Sequence, residues 1–515
     1  MRERVRQGRW HVAALFVLTS ALTLAAFGNT LRAGFVYDDE WTIQHNAHLD
    51  APLGSLLGAC VRGDARRLRI PDATRPAMVA STWVDHRLFG ARPLGFHADS
   101  LCLAALTSAL AGLAVFAITR RRRMAALAAA IFAVAPLHAE VVAAVHDRED
   151  LLAALGLFGV LALLFWPRGA TAHTVASRAR AGGAVALAGA LWLLGLAAKE
   201  SAAVLVPLAA CAWCLQSGSR RRRWLGAREP MLLALLAVGI VWANWRLGLR
   251  FGADDVPVAR GVSLAGRLLR SARYEAWAAA QSLLPVLSAP EHARQGPASV
   301  AWVAALAGLV ALTVGMARRR DTRVPALGLA IVLVAPLAAS PLVGPVNEQA
   351  DRYLFAGVLG GAIVWAWAIE RLARRAGRRV GLGVAVVVAC GLVVQSARSA
   401  AAWHDDRSLW TEATRVAPGS ARAWAGLSRA VRLEGDVARA LALSRRALAL
   451  DPFYAPAHLT NAYNLICAGR RDEALADLAY AEEHAPDMPG LARARACASR
   501  AAEAAAACID APTAP

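Results

Sequence analysis

Lysine is almost missing from this chain of 515 residues: Lys199 stands alone, and every other member of a basic set of 57 is arginine. Charge of either sign is thin. Charged side chains make up 18% and hydrophobic ones 57%, whereas a soluble protein carries roughly 25% charged residues. With a mean hydropathy of +0.41, the apolar material exceeds what globular cores can hide, and intrinsic disorder is excluded. Cysteine is scarce as well. Eight scattered residues exclude a small disulfide scaffold. The only close pair, Cys211 and Cys214, lies in an apolar stretch with no second pair at zinc spacing. What remains is an all-α, polytopic membrane protein.

The net charge of +20 invites a nucleic-acid reading, which the placement of the arginines excludes. They fall in short clusters on alternate connections between apolar stretches, the positive-inside pattern of membrane topology. No continuous basic face for phosphates is formed.

A spanning helix needs about 20 residues, or about 17 at the short end. The apolar runs 11–28, 97–118, 124–142, 150–166, 182–198, 201–217, 230–248, 299–316, 324–340, 353–369 and 380–396 meet that measure. Arg2, Arg4, Arg6 and Arg9 precede the first run, and no clean small-residue cleavage site follows it, so a retained helix with a cytoplasmic N-terminus is expected. Connections at Arg120–Arg123, Arg168–Arg180, Arg220–Arg223, Arg318–Arg323 and Arg371–Arg379 are then cytoplasmic. The acids Asp38, Asp39, Glu140, Asp147, Glu149, Asp150, Glu200, Asp254, Asp255 and Asp351 fall on the outer side. About 11 spans satisfy this alternation. Segment 262–290 is apolar but holds Arg267, Arg270, Arg273 and Glu275, and reads as an interfacial or re-entrant helix.

After Gln395 the composition becomes water-compatible and a period appears. Pro418, Pro452 and Pro486 are 34 residues apart, as are Ala413, Ala447 and Ala481, Gly435 and Gly469, and Ala440 and Ala474. Small residues where paired helices touch, Gly at the turn and Pro closing the unit are the tetratricopeptide pattern. The expected division is a membrane domain, 1–396, with a first outer loop at 29–96, and an extracytoplasmic repeat domain, 397–515. Full repeats fall at 421–454 and 455–488. The repeats would present a concave surface to an acceptor protein or peptide.

Four clusters carry chemistry. Asp38, Asp39 and Glu40 follow the first span directly, and ionisable groups so close to a membrane point to function. Such a carboxylate can take a proton from an acceptor hydroxyl or hold a metal. Residues 136–152 crowd His138, Glu140, His146, Asp147, Arg148 and Asp150 between two spans. The cluster reads as a polar, substrate-facing hairpin; no cofactor is required by the pattern, and a divalent metal on His138, His146 and the carboxylates is the one candidate, although that spacing matches no standard motif. Lys199 and Glu200 form the tip of a hairpin, where a lysine can meet a phosphate as a compact point charge. Arg352 and Tyr353 stand at the mouth of the tenth span, and arginine clamps a pair of phosphate oxygens. Together these place carboxylates and three cations, Arg148, Lys199 and Arg352, on one membrane face.

The ordered set FVYDDEWTIQHN, then Arg75–Pro76, Phe96–His97, PLHAEVV with RED ending at Asp150, AAKE, DRYLF and terminal repeats resembles the tetratricopeptide-repeat O-mannosyltransferases of the GT-C class and their bacterial relatives. The resemblance runs in order from about 30 to 490. Ser100 and Ala104 depart from it, standing where Asn and His are expected. It implies transfer of a sugar from a polyprenyl-phosphate carrier on the non-cytoplasmic side of the cell inner membrane. Asp38 or Asp39 would act at the acceptor, and Arg148, Lys199 and Arg352 would hold the donor phosphate. Glu40, Arg75, His97, His138, Glu140, Asp150, Glu200 and Tyr353 would line the substrate cavity. A lipid-linked sugar flippase and a membrane-anchored repeat scaffold are the alternative readings. Midplane acids and broken helices would mark a flippase, and eleven spans are excessive for an anchor.

Overall fold

The computed structural model describes residues 2–62, 74–166, 175–216, 218–248, 263–285, 288–292, 299–340, 349–486, 488 and 490–499. Asp254 and Asp255, expected in an outer loop, and Arg168, expected in an inner one, lie outside them. The protein is all-α and polytopic; no strand occurs among the described residues.

In chain order the helices are α1 (Arg2–Phe27), α2 (Leu53–Arg62), α3 (Pro76–Phe89), α4 (Pro93–Thr119), α5 (Arg122–Ala133), α6 (Ala139–Ala143), α7 (Glu149–Phe165), α8 (Val175–Ala198), α9 (Leu205–Cys214), α10 (Gly218–Gly248), α11 (Leu264–Leu283), α12 (Val300–Arg318), α13 (Arg323–Val334), α14 (Phe355–Ala376) and α15 (Arg378–Ala401). Then follow α16 (Asp406–Val416), α17 (Ala421–Leu433), α18 (Val437–Leu450), α19 (Ala455–Cys467), α20 (Arg471–His484) and α21 (Leu491–Ala498). Every one of the eleven expected spans coincides with a helix. Among the described residues six helices are long and apolar enough to cross a membrane, in α1, α4, α8, α12, α14 and α15, and a seventh if the bent pair Arg122–Ala133 and Pro136–Ala143 is one span. Helices α7, α9 and α13 contain 17, 10 and 12 residues, too short to qualify alone. The bend of 55° between α5 and α6 falls at Pro136, which cannot continue the preceding helix.

Helix α7 is apolar on every side after its first turn, and all its residues but Leu163 are buried, as such a helix must be. It packs on α4 and α8. The crossing with α8 is close because Gly156 faces Gly195 there, and a Cβ on Gly156 would strike the Leu191 carbonyl oxygen. At its C-terminal end, Arg120 donates to the Phe165 carbonyl at 2.8 Å and Arg228 to the Leu164 carbonyl at 2.6 Å, cations placed where the helix dipole favours them. Its acids, Glu149 and Asp150, lie at the opposite end.

Helix α11 is amphipathic, as expected for 262–290. It buries Tyr274, Glu275, Trp277 and Ala278 against α12 and α14. Helices α16 to α20 pair in sequence, α17 with α18 and α19 with α20. Gly435 and Gly469 take positive φ, +92° and +73°, at the turns between paired helices, a conformation that glycine adopts at no steric cost. Ala440, Ala447, Ala474 and Ala481 are fully buried between the pairs, which is why small residues recur at that register.

Candidate active site

The first loop leaves α1 through Tyr37, whose φ is +54°. A bulky residue in the left-handed region is strained and held by its surroundings. Those surroundings come from the repeats: the Tyr37 backbone N–H donates to Asp406 at 2.7 Å, its ring stands 5.6 Å from that of Trp410, and Gly34 N donates to the His404 carbonyl at 2.9 Å. The chain then enters a π-helical turn, Glu40–Gln44.

This turn directs the three successive acids to three different partners. Asp39 is fully buried and accepts from Val145 N at 3.0 Å and His146 N at 2.7 Å, with His146 Nδ1 at 3.1 Å. Glu40 pairs with Arg429 of α17. Asp38 lines a cavity of 520 Å³.

That cavity gathers Asp38, Arg75, His146, Asp147, Glu149, Asp150, Lys199, Glu200, Arg246, Arg352 and Tyr353. They come from the first loop, the 143–150 connection, the hairpin after α8, the end of α10 and the turn before α14, connections that lie at one end of the bundle. Alanines at 153, 154, 335, 338 and 339 supply its small-residue walls.

The cations are interleaved with acids. Lys199 Nζ is 2.5 Å from Asp150 Oδ2 and 2.9 Å from Glu149 Oε1. Arg75 bridges Glu149 at 2.5 Å and Glu200 at 3.1 Å. Arg352 donates to Glu140 at 2.5 Å through its side chain and at 2.9 Å through its backbone, and lies 3.5 Å from Asp147. The Tyr353 ring stands 5.5 Å from Lys199 Nζ and 5.2 Å from the Arg352 guanidinium carbon.

Burial pulls the His146 imidazole down, but Asp147, Asp39 and Asp38 around it raise it to about 10. Burial pushes Asp147 up to about 7, against the pull of Arg352 and His146. Burial alone would lower Lys199, and the adjacent Asp150 and Glu149 reverse this and raise it above its usual value. The cavity therefore holds an ammonium, an imidazolium and three guanidiniums beside five carboxyl groups. One of these, Asp147, gives up its charge near neutrality.

Several expected residues stand elsewhere. Arg148 does not reach the cavity. Fully buried, it donates to Asp85 at 2.5 Å, Ser81 at 3.1 Å, Ser100 at 3.2 Å and the Phe96 carbonyl at 2.8 Å, with Asp99 at 3.1 Å. Its charge already has two carboxylates, so its place is to bind α3 and α4 to the 145–148 turn. Ser100, a departure from the family pattern, is one of its anchors. His97 donates to the Gly34 carbonyl at 3.2 Å behind the first loop. His138 is wedged between Phe132 and Phe355, with ring centroids at 4.5 and 4.3 Å. Glu140 acts on the cavity only through Arg352, and Asp39 through His146. Among the described residues no three His, Cys, Asp or Glu side chains converge as a metal site; His138 and His146 have different neighbours.

Asp147 lines the cavity as a member of the substrate-facing hairpin expected at 136–152, whereas Glu149 and Arg246 carry no individual expectation from the sequence. Glu149 sits in that same hairpin. Arg246 ends an apolar run, where an anchoring role is the usual expectation, and nothing in the sequence separates it from such an anchor.

No protein-family model matches the chain. It resembles the protein O-mannosyl-transferases named TMTC. It is 37% identical over 143 residues to Tmtc1 of Drosophila melanogaster, covering 26% of this chain and 16% of that protein. With TMTC1 of Mus musculus it shares 34% over 171 residues, covering 32% and 18%. With TMTC4 of Homo sapiens it shares 31% over 156 residues, covering 27% and 21%. The matched stretches thus span about a fifth or less of these relatives' length. Among solved structures, the Archaeoglobus fulgidus oligosaccharyltransferase tethered to an acceptor peptide aligns with TM-score 0.41 and 12% identity over 77% of this chain and 55% of that one. ArnT from Cupriavidus metallidurans bound to undecaprenyl phosphate aligns with TM-score 0.40 and 19% identity over 92% and 77%.

Proposed function

We propose that this protein is a membrane glycosyltransferase of the GT-C class. It moves a mannose-like hexose from a polyprenyl-phosphate donor to a hydroxyl of a protein Ser or Thr, with inversion, at the outer face of the cell inner membrane. The observation that carries this reading is that Asp38 lines the same cavity as Lys199, Arg352, Arg75 and Arg246, a carboxylate and four cations at one end of the bundle. The similarity to protein O-mannosyl-transferases supports it independently.

In this mechanism Asp38 accepts the proton of the acceptor hydroxyl. The oxygen attacks the anomeric carbon on the face opposite the lipid phosphate, so the C–O bond to the phosphate breaks and configuration inverts. Lys199 and Arg352 stabilise the charge that grows on the departing phosphate. Arg352 keeps Glu140 as its close partner, but protonation of Asp147 beside it removes a second neutralising carboxylate and leaves more of the guanidinium charge for the donor. Asp39 fixes His146, which holds Asp38 at 3.5 Å and limits its motion. The helices around α16 to α21 form the acceptor-facing domain on the same side of the membrane.

The test is to reconstitute the full chain in liposomes with radiolabelled polyprenyl-phosphate mannose and a Ser/Thr-rich acceptor protein. Label should move to the acceptor as the lipid donor is consumed. Lipid moved between leaflets without consumption would make the protein a flippase, and neither event would make it a scaffold.

A further inference from the structure

A second cavity, of 390 Å³, opens between the first loop and the C-terminal helices from α16 onward. It is lined by Tyr37, Asp38 and Trp41 from the loop and by Trp410, Arg422, Arg429, Arg432, Tyr454 and Tyr463 from the repeats, among others. Among the described residues Asp38 alone lines both cavities. Anything held in the second cavity thus borders the carboxylate that faces the first.

The three arginines of this groove differ in one respect. Arg422 pairs with Glu291 at 3.1 Å and lies over the Tyr37 and Trp410 rings. Arg429 pairs with Glu40 and, at 2.9 Å, with Asp406. Arg432 has no carboxylate partner among the described residues. It is only 3% exposed, its guanidinium carbon stands 5.1 Å from the Tyr463 ring, its Nε has no hydrogen-bond partner, and its polar neighbour is the Cys467 thiol. Burial lowers its pKa accordingly. A buried cation without a counter-charge is costly unless something supplies one. The planar fork of a guanidinium is matched best by a carboxylate held through two parallel hydrogen bonds.

We propose that this groove selects an acidic acceptor segment: an extended peptide lies along the aromatic wall, an Asp or Glu side chain pairs with Arg432, and a nearby Ser or Thr hydroxyl reaches Asp38. This rests on the transferase reading for the role of Asp38, but the pairing with Arg432 stands on the groove's own charge. Trp41, Tyr454 and Tyr463 offer flat, rigid contact surface at low entropic cost, as in other peptide-binding faces.

The test uses the full chain in nanodiscs and fluorescently labelled peptides that contain Thr and differ only in Asp or Asn two to four residues away. The Asp peptide should bind at least about tenfold more tightly, as expected of a hydrogen bond to a charged group. Arg432→Met should erase that preference, and Arg432→Lys should retain part of it. Equal binding of the two peptides to the wild-type chain overturns the proposal without any variant, and so does an unchanged preference in a folded Arg432→Met protein. Inorganic phosphate is the third probe. If it binds in an Arg432-dependent manner while the peptides do not discriminate, the site is a phosphate site and the proposal fails. Asp38→Asn separates the two readings: it should keep the Asp preference while losing transfer. Preference without transfer in the wild-type chain would sink the transferase reading alone, and transfer without preference would sink only the groove assignment.

Discussion

Asp39 and His146 hold one another at two points: the carboxylate accepts the His146 backbone N–H at 2.7 Å and lies 3.1 Å from its ring Nδ1. The other ring nitrogen, Nε2, lies 3.5 Å from Asp38 Oδ2. Of two adjacent, chemically identical acids, one is thus buried as a brace and the other is left at the cavity wall. Asp39→Ala strips two backbone N–H groups and an imidazolium of their acceptor. It should destabilise the protein by about 1–3 kcal/mol for each buried donor left unpaired, read as a lower thermal midpoint in detergent. Asp38→Ala should change stability by no more than about 0.5 kcal/mol, as for a substitution outside the packed core.

Lys199 neutralises two buried acids, so its charge and its shape can be tested apart. Lys199→Met leaves Asp150 without its ion-pair partner, beside a Glu149 that keeps Arg75, and should cost about 3–5 kcal/mol, as for a broken buried ion pair. Lys199→Arg keeps the charge but replaces a point ammonium with a planar fork. It should fold normally yet raise the KM for the lipid donor, with little change in stability. Donor titrations on the two variants check both outcomes.

Arg148 makes the opposite prediction from the one its sequence position suggests. With Asp85 and Asp99 as partners and no exposure, Arg148→Gln should lower stability by about 3–5 kcal/mol. Whatever fraction remains folded should show an unchanged KM for the donor. A raised donor KM at full stability would return Arg148 to the phosphate site.

The Asp147 carboxyl gives the site a pH dependence. Its pKa rises from 3.8 to about 7 in the folded protein, so between those values the folded state binds the extra proton. The stability it contributes is complete below about 3.8 and lost as pH rises through about 7. Arg352, His146, Glu140 and Lys199 are the charged groups that act on it. The donor's phosphodiester keeps one charge throughout, so donor affinity should follow Asp147. It should weaken by about tenfold as pH rises from 6 to 8, the equivalent of one pKa unit. Asp147→Asn should flatten that profile and keep the tight, low-pH affinity at pH 8, as donor-binding isotherms across the range would reveal.

The all-α membrane fold and the pairing of the C-terminal helices were legible because each is written in a run length or a period. The cavity was legible through rarity. The sole lysine lines it, and four of the six tyrosines line one of the two cavities, Tyr353 the first and Tyr37, Tyr454 and Tyr463 the second. Which of two neighbouring like residues faces the cavity was not legible. Asp38 and Asp39 are alike in the sequence, and only a turn imposed by Tyr37 and the repeats parts them. Arg148 and Arg246 show the same limit, since a side chain's direction on a short turn depends on partners far along the chain: Asp85 is 63 residues away from Arg148. The groove at Arg432 escaped for that reason too, because a missing counter-ion leaves no mark in the local sequence.

The central claim is that Asp38 takes the acceptor proton in a cavity whose cations hold the donor phosphate. Single-turnover transfer of radiolabelled mannose by Asp38→Asn, with thermal midpoint and donor binding measured on the same preparation, tests it most directly. Normal folding, donor affinity within about twofold of wild type and a transfer rate lower by about a hundredfold or more, the usual contribution of a general base, are expected. Transfer at the wild-type rate by a protein that carries no carboxylate at position 38 would contradict it.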